Sequence, residues 1–188
     1  MKHQRSKQLA WATLAALILV FLAGGPAVAI NVNDIAPNFM LVDVDGGYHM
    51  LSAEASHPVL IFFFDCNGST ALAQRVQGDI ESRYDSQGLI VLGIDVGSCD
   101  APGITRFGSQ SGADFPLLKD GRSTLSDYGM QTETLALIDA FGIVKYVSPG
   151  AGIGSYNESE VKTAVEQALR DAANSKALTW GVIKNLYK

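Results

Sequence analysis

Residues 59–71, VLIFFFDCNGSTA, decide how the rest of the chain is read. Six consecutive apolar residues, Val59 to Phe64, run without a polar interruption and are rich in β-branched and aromatic side chains. Such a run suits a strand buried on both faces of a parallel sheet. It ends at Asp65, and Cys66-Asn67-Gly68-Ser69 forms the turn beyond it. A helical pattern follows, with Leu72, Ala73, Val76, Ile80 and Tyr84 on one face and Ser69 or Thr70 able to cap its start. A cysteine placed between a buried strand and a helix start stands where the helix's partial positive charge favours a thiolate.

Working outward, the helix expected over 70–85 stops at Ser86-Gln87-Gly88, where Gly88 suits a left-handed C-terminal position. Residues 89–96, LIVLGIDV, read as a second buried strand. Strand, helix and strand in that order imply a right-handed crossover and parallel pairing. Gly97-Ser98-Cys99-Asp100 makes the next turn, and Asp100 caps a short helix to about Gln110 with Pro102 in its first turn. A short extended piece is expected over 114–118 and a short helix over 123–128. Strands at 134–138 and 143–147 form a hairpin around Asp139-Ala140-Phe141-Gly142. Asn157 and Glu160 make a capping box for a final helix with an apolar stripe of Val161, Ala164, Val165, Ala168, Leu169 and Ala172. Upstream, Phe39, Leu41 and Val44 face Tyr48, Met50 and Leu51 across Asp45-Gly46-Gly47, a β-hairpin pattern. Residues 52–57 read as a brief helical turn. The GAGIGS segment, 150–155, follows a hairpin strand and does not open a βαβ unit, which discounts a phosphate loop.

The ends differ from the middle. Lys2, Arg5 and Lys7 precede an apolar stretch over 9–23, and Ala27-Val28-Ala29 is a small-x-small triplet. Those are the parts of a secretory signal peptide over 1–29, and the apolar stretch is short for a membrane span. The domain then covers 30–173, and 174–188 is an amphipathic tail read as a last helix docking on it. Past Ala29, eleven basic residues stand against nineteen acidic ones, a net −8. So acidic a surface argues against nucleic acid and anionic membrane as partners, so that membrane contact is expected only through an uncleaved N-terminal segment. His3, His49 and His57 form no ligand spacing with each other or with the cysteines, so no metal site is expected. The only cysteines are Cys66 and Cys99, and export would place them where disulfides persist.

Hairpin, buried strand, helix, strand, helix, hairpin and helix is the order of the thioredoxin fold with an N-terminal extension. The residues carry a resemblance as well. Ala36-Pro37-Asn38-Phe39, Asp43-Val44-Asp45-Gly46-Gly47 and Leu51-Ser52 resemble the opening of the redoxin superfamily. Phe115-Pro116-Leu117-Leu118 with Asp120, Tyr128-Gly129-Met130, and Leu137-Ile138-Asp139 with Gly142 follow the same template. That superfamily holds peroxiredoxins of the alkyl hydroperoxide reductase and thiol-specific antioxidant type, and exported thioredoxin-like disulfide reductases. The resemblance implies an α/β thioredoxin fold with an N-terminal β-hairpin extension and a central mixed sheet flanked by helices. It implies no cofactor, and a protein thiol or disulfide, or a peroxide, as partner. The signal-peptide parts of 1–29 make the chain an expected exported protein, periplasmic or extracellular.

The reactive motif departs from the family pattern. Aligned without gaps, the reductases' Cys-x-x-Cys falls on Gly68 and Ala71; a loop two residues shorter gives Cys66 and Ser69. The peroxiredoxin Thr-x-x-Cys is absent, and the family's cis-proline falls at Glu133, where a trans bond is expected. In this fold the two buried strands are neighbours, so Cys66 and Cys99 should meet at one sheet edge, within the Cα separation a disulfide needs. Two functions follow. In one, an exported thiol–disulfide oxidoreductase or peroxiredoxin-like antioxidant attacks with Cys66 and resolves with Cys99. In the other, a redox-inactive binding or assembly module keeps Cys66–Cys99 as a staple. Asp65 beside Cys66 counts towards the second, because an adjacent anion opposes a thiolate, while the resemblance makes the first the leading reading, since most exported members exchange thiols.

Overall fold

The computed structural model describes residues 29–186, with side chains to residue 176. Most of the expected signal segment, 1–29, and the end of the tail lie outside the described residues. The first hairpin pairs β1 (Met40–Val42) with β2 (Tyr48–Met50) about a turn in which Gly46 takes a φ of 93°. A 3₁₀ turn, Leu51–Glu54, leads to β3 (Val59–Phe64), whose six residues are all buried, as the uninterrupted run requires.

Helix α1 covers 71–87 and is not uniform. It begins as α-helix at Ala71–Arg75, widens into a π turn at Val76–Glu81, and closes through Ser82–Tyr84 and a 3₁₀ end at Asp85–Gln87. Ser82 Oγ donates to the Gln77 carbonyl (2.8 Å) within the widened part. The sequence pattern, which places apolar residues but not hydrogen-bond length, reads only a plain helix here. Gly88 ends it with a φ of 96°, as expected.

Then come β4 (Ile90–Asp95), α2 (Ala101–Ser111), β5 (Leu117–Leu118), α3 (Arg122–Tyr128), β6 (Thr134–Ile138), β7 (Val144–Val147) and α4 (Glu158–Leu186). The sheet order is β5-β4-β3-β6-β7, with β3, β4 and β5 parallel and β6 and β7 antiparallel to their neighbours. This mixed sheet flanked by helices, preceded by a hairpin, is the thioredoxin fold with its extension. The backbone of α4 continues without a break past 174, so the tail begins as an extension of the last helix.

Alternation along β3 divides the core. Leu60, Phe62 and Phe64 pack with α1, α2 and α4, while Ile61 and Phe63 pack with Leu92, Ile94 and Tyr128 on the other face. Phe64 stacks on Phe107 of α2, with ring centroids 4.3 Å apart. Both sheet edges are occupied. Val44 N–H donates to the Leu117 carbonyl and Lys119 N–H to the Val42 carbonyl, which lays the first hairpin on β5. On the far side, residues 33–36 pair with 142–144 beside β7. The N-terminal extension thereby covers edges that would otherwise offer unpaired strand groups. Among the described residues, no helix is long and apolar enough to cross a membrane.

Candidate functional site

Parallel pairing puts Phe64 opposite Asp95, so β3 and β4 end together at one rim of the sheet. Cys66 lies two residues past β3 and Cys99 four past β4. Their sulfurs are bonded across a Cα separation of 6.4 Å, and both residues are half-buried. The two cysteines meet where the topology placed them.

The turn after β3 is saturated with acceptors. Cys66 N–H donates to Asp95 Oδ1 (3.0 Å), Asn67 N–H to Asp65 Oδ1 (2.9 Å), and Gly68 N–H to the Asp65 carbonyl (2.7 Å). Ser69 N–H donates to Glu133 Oε1 (3.2 Å), and Ser69 Oγ takes the Ala71 N–H (3.1 Å) at the start of α1. Ser69, not Thr70, is therefore the capping hydroxyl. Three of the turn's N–H groups, those of Cys66, Asn67 and Ser69, are committed to carboxylates. Asp65 Oδ1 lies 3.9 Å from Cys66 Sγ, so a carboxyl group stands beside that sulfur.

Cys99 has different surroundings. Asn67 Nδ2 lies 3.2 Å from its Sγ and donates to it. Cys99 also lies one residue before the N-cap of α2, Asp100, whose side chain accepts the Gly103 N–H (3.0 Å). A Cβ on Gly103 would come 3.5 Å from Cys99 Sγ. The sequence reading attached the helix start of α1 to Cys66; the folded chain sets the start of α2 against Cys99.

Asp95 lies beneath the turn and is 2 % exposed. Burial pushes its carboxyl above the usual range, with Asp65 and Asp120 adding to the effect, while N–H groups of Cys66 and Gly97 pull the other way. A Cβ on Gly97 would meet Asp65 Oδ1 at 2.7 Å and Asp95 Oδ1 at 3.3 Å, so only glycine lets the second turn close over these carboxylates. Asp95 and Asn67 escaped the sequence reading. An acid closing the apolar run 89–96 was the available signal for Asp95; nothing local marks Asn67.

Glu133 occupies the position that the resemblance gives to a cis-proline, and no cis peptide occurs among the described residues. Its φ is 59°, its N–H donates to the Phe63 carbonyl (2.7 Å), and its carbonyl accepts from Gly152 N–H (2.8 Å). Proline can supply neither that φ nor that donor. His49 is paired with Asp43 (2.8 Å) on the first hairpin. A carboxylate oxygen of Asp65 and the sulfurs of Cys66 and Cys99 all lie within 4.8 Å of one another.

Residues 32–147 match the AhpC/TSA family, well over half of the chain. The chain belongs to the AhpC/TSA family. No curated protein matches it. Among solved structures, this AhpC/TSA chain is similar to a candidate thiol:disulfide interchange protein DsbE from Chlorobium tepidum. The TM-score is 0.65 at 21% identity, over 75% of this chain and 99% of that one. It is also similar to a candidate protein disulfide isomerase from Bacteroides thetaiotaomicron, with a TM-score of 0.60 at 22% identity over 73% and 87% of the two chains. MTB DsbF gives 0.59 at 19% identity over 72% and 98%. At these identities the likeness establishes the fold.

Proposed function

We propose that this AhpC/TSA chain is an exported thiol–disulfide oxidoreductase that exchanges its Cys66–Cys99 bond with protein thiols. The observation that carries the reading is the half-buried disulfide at the rim where two parallel strands end, with Asn67 donating to one of its sulfurs. A partner thiolate attacks Cys66, forming a mixed disulfide, and the Cys66–Cys99 bond breaks with its electron pair going to Cys99. The Asn67 amide and the start of α2 stabilise Cys99 as it leaves, which speeds exchange. A second partner thiol, deprotonated, then displaces Cys66; the partner is oxidised by two electrons and the pair is reduced. In reverse, Cys99 resolves the mixed disulfide on Cys66. Export is supported by the basic, apolar and small-residue parts of 1–29, and a Cys66–Cys99 bond suits the oxidising compartment that export leads to.

Cys99→Ser tests the order of events. With its resolving sulfur gone, the variant should accumulate a mixed disulfide at Cys66 when offered an activated disulfide, while Cys66→Ser should not form one that reports on the same site. Failure of the Cys99→Ser protein to trap any partner removes the reading.

Asp65 favours a second reading, a redox-inactive binding or assembly module in which the bond is a staple, since a carboxylate 3.9 Å from Cys66 opposes its thiolate. Peroxide reduction suffers from the same carboxylate, because it too begins from a thiolate.

A further inference from the structure

We propose that the reduced form of this rim is a binding site for one thiophilic divalent cation of the zinc type, held by Cys66, Cys99 and Asp65. The three side chains come from the ends of two adjacent strands, and their ligand atoms already lie within 4.8 Å of one another. Two sulfurs and one carboxylate oxygen form a three-ligand set of the kind that leaves a fourth tetrahedral position open.

The electrostatics point the same way. In the oxidised protein the two sulfurs are uncharged and the Asp65 carboxylate sits beside them without conflict. Reduction by a dithiol breaks the Cys66–Cys99 bond, joins the sulfurs of the reductant, and leaves two thiols carrying two electrons and two protons from it. Each thiol that ionises then faces the Asp65 carboxylate. A divalent cation resolves that crowding: it bonds both sulfurs and the carboxylate oxygen, and both protons leave to solvent. The supporting groups are in place. Asn67 N–H fixes Asp65 through Oδ1, Asn67 Nδ2 orients Cys99, and Gly97 keeps the space beside Asp65 free of a Cβ. Zinc–sulfur bonds of about 2.3 Å in a tetrahedral site require the sulfurs to part to roughly 3.8 Å. Both cysteines lie outside strand and helix, with their Cα atoms 6.4 Å apart.

The site does not depend on exchange turnover, only on the pair being reducible. The test therefore starts from the full chain reduced by a phosphine and desalted without oxygen, and titrates it with cadmium as the probe. One equivalent should produce the ultraviolet thiolate-to-cadmium charge-transfer band, and the oxidised protein should produce none. Asp65→Asn keeps an oxygen to accept the Asn67 N–H but removes the charge, and should weaken cadmium binding at least tenfold. Asp100→Asn, which keeps the cap of α2, should leave it unchanged. Absence of the band in protein with two free thiols overturns the proposal. So does equal affinity in Asp65→Asn and Asp100→Asn, which is also what a chain unfolded by reduction would give. Failure of the Cys99→Ser trap, with this titration positive, would sink exchange and leave the cation site standing.

Discussion

At the scale of single residues, acids decide the chemistry of this molecule. A carboxylate at Asp65, 3.9 Å from Cys66 Sγ, opposes a thiolate there, so Asp65→Asn should speed alkylation of Cys66 in the reduced protein at neutral pH, read by mass spectrometry over time. Glu81 is a different case. Its Oε2 is buried without a hydrogen-bond partner, and burial, with Asp85 and Asp114 nearby, pushes its carboxyl up to about 7 from 4.5. A carboxyl whose pKa is raised by folding stabilises the fold while protonated. That contribution is present below pH 4.5 and fades as pH rises towards 7. Glu81→Gln, neutral throughout, should therefore melt higher than the wild type at pH 8 and alike at pH 4. The gap expected at pH 8 is roughly 2–4 °C, the shift that about 1 kcal/mol gives in a chain of this size. Equal melting curves at pH 8 would contradict it.

At the scale of elements, the strands were legible and the site only partly so. The run 59–64 announced a strand buried on both faces because nothing polar interrupts it, and β3 has those bounds. The pairing of β3 with β4 followed from one crossover helix, and with it the meeting of Cys66 and Cys99. What stayed hidden depends on groups distant in sequence: the Asn67 amide on a sulfur 32 residues away, and Glu133 closing on Ser69 64 residues back. No local pattern encodes such contacts. The π turn inside α1 was equally invisible, since Val76 and Ile80 face the core in either helix type. Two stability outcomes belong here. Phe64→Ala removes a fully buried ring stacked on Phe107, and should lower unfolding free energy by about 3–5 kcal/mol in denaturant titration. The double variant Cys66→Ala, Cys99→Ala opens a link spanning 33 residues and should lower it by about 3–4 kcal/mol.

At the scale of the whole molecule, the N-terminal extension and the sheet rim divide the work. The extension occupies both sheet edges through the contacts at 42–44 and 33–36, and the Cys66–Cys99 bond sits at the rim where β3 and β4 end. The position that the resemblance gives to a proline holds Glu133, with a backbone that proline cannot adopt. The account therefore stands on whether the Cys66–Cys99 bond is an exchanging one. Its midpoint potential, measured by equilibration with a graded thiol–disulfide buffer, answers this directly. Exchange predicts a value more oxidising than about −300 mV; a value below about −300 mV, the range of permanent bonds in secreted proteins, would contradict it.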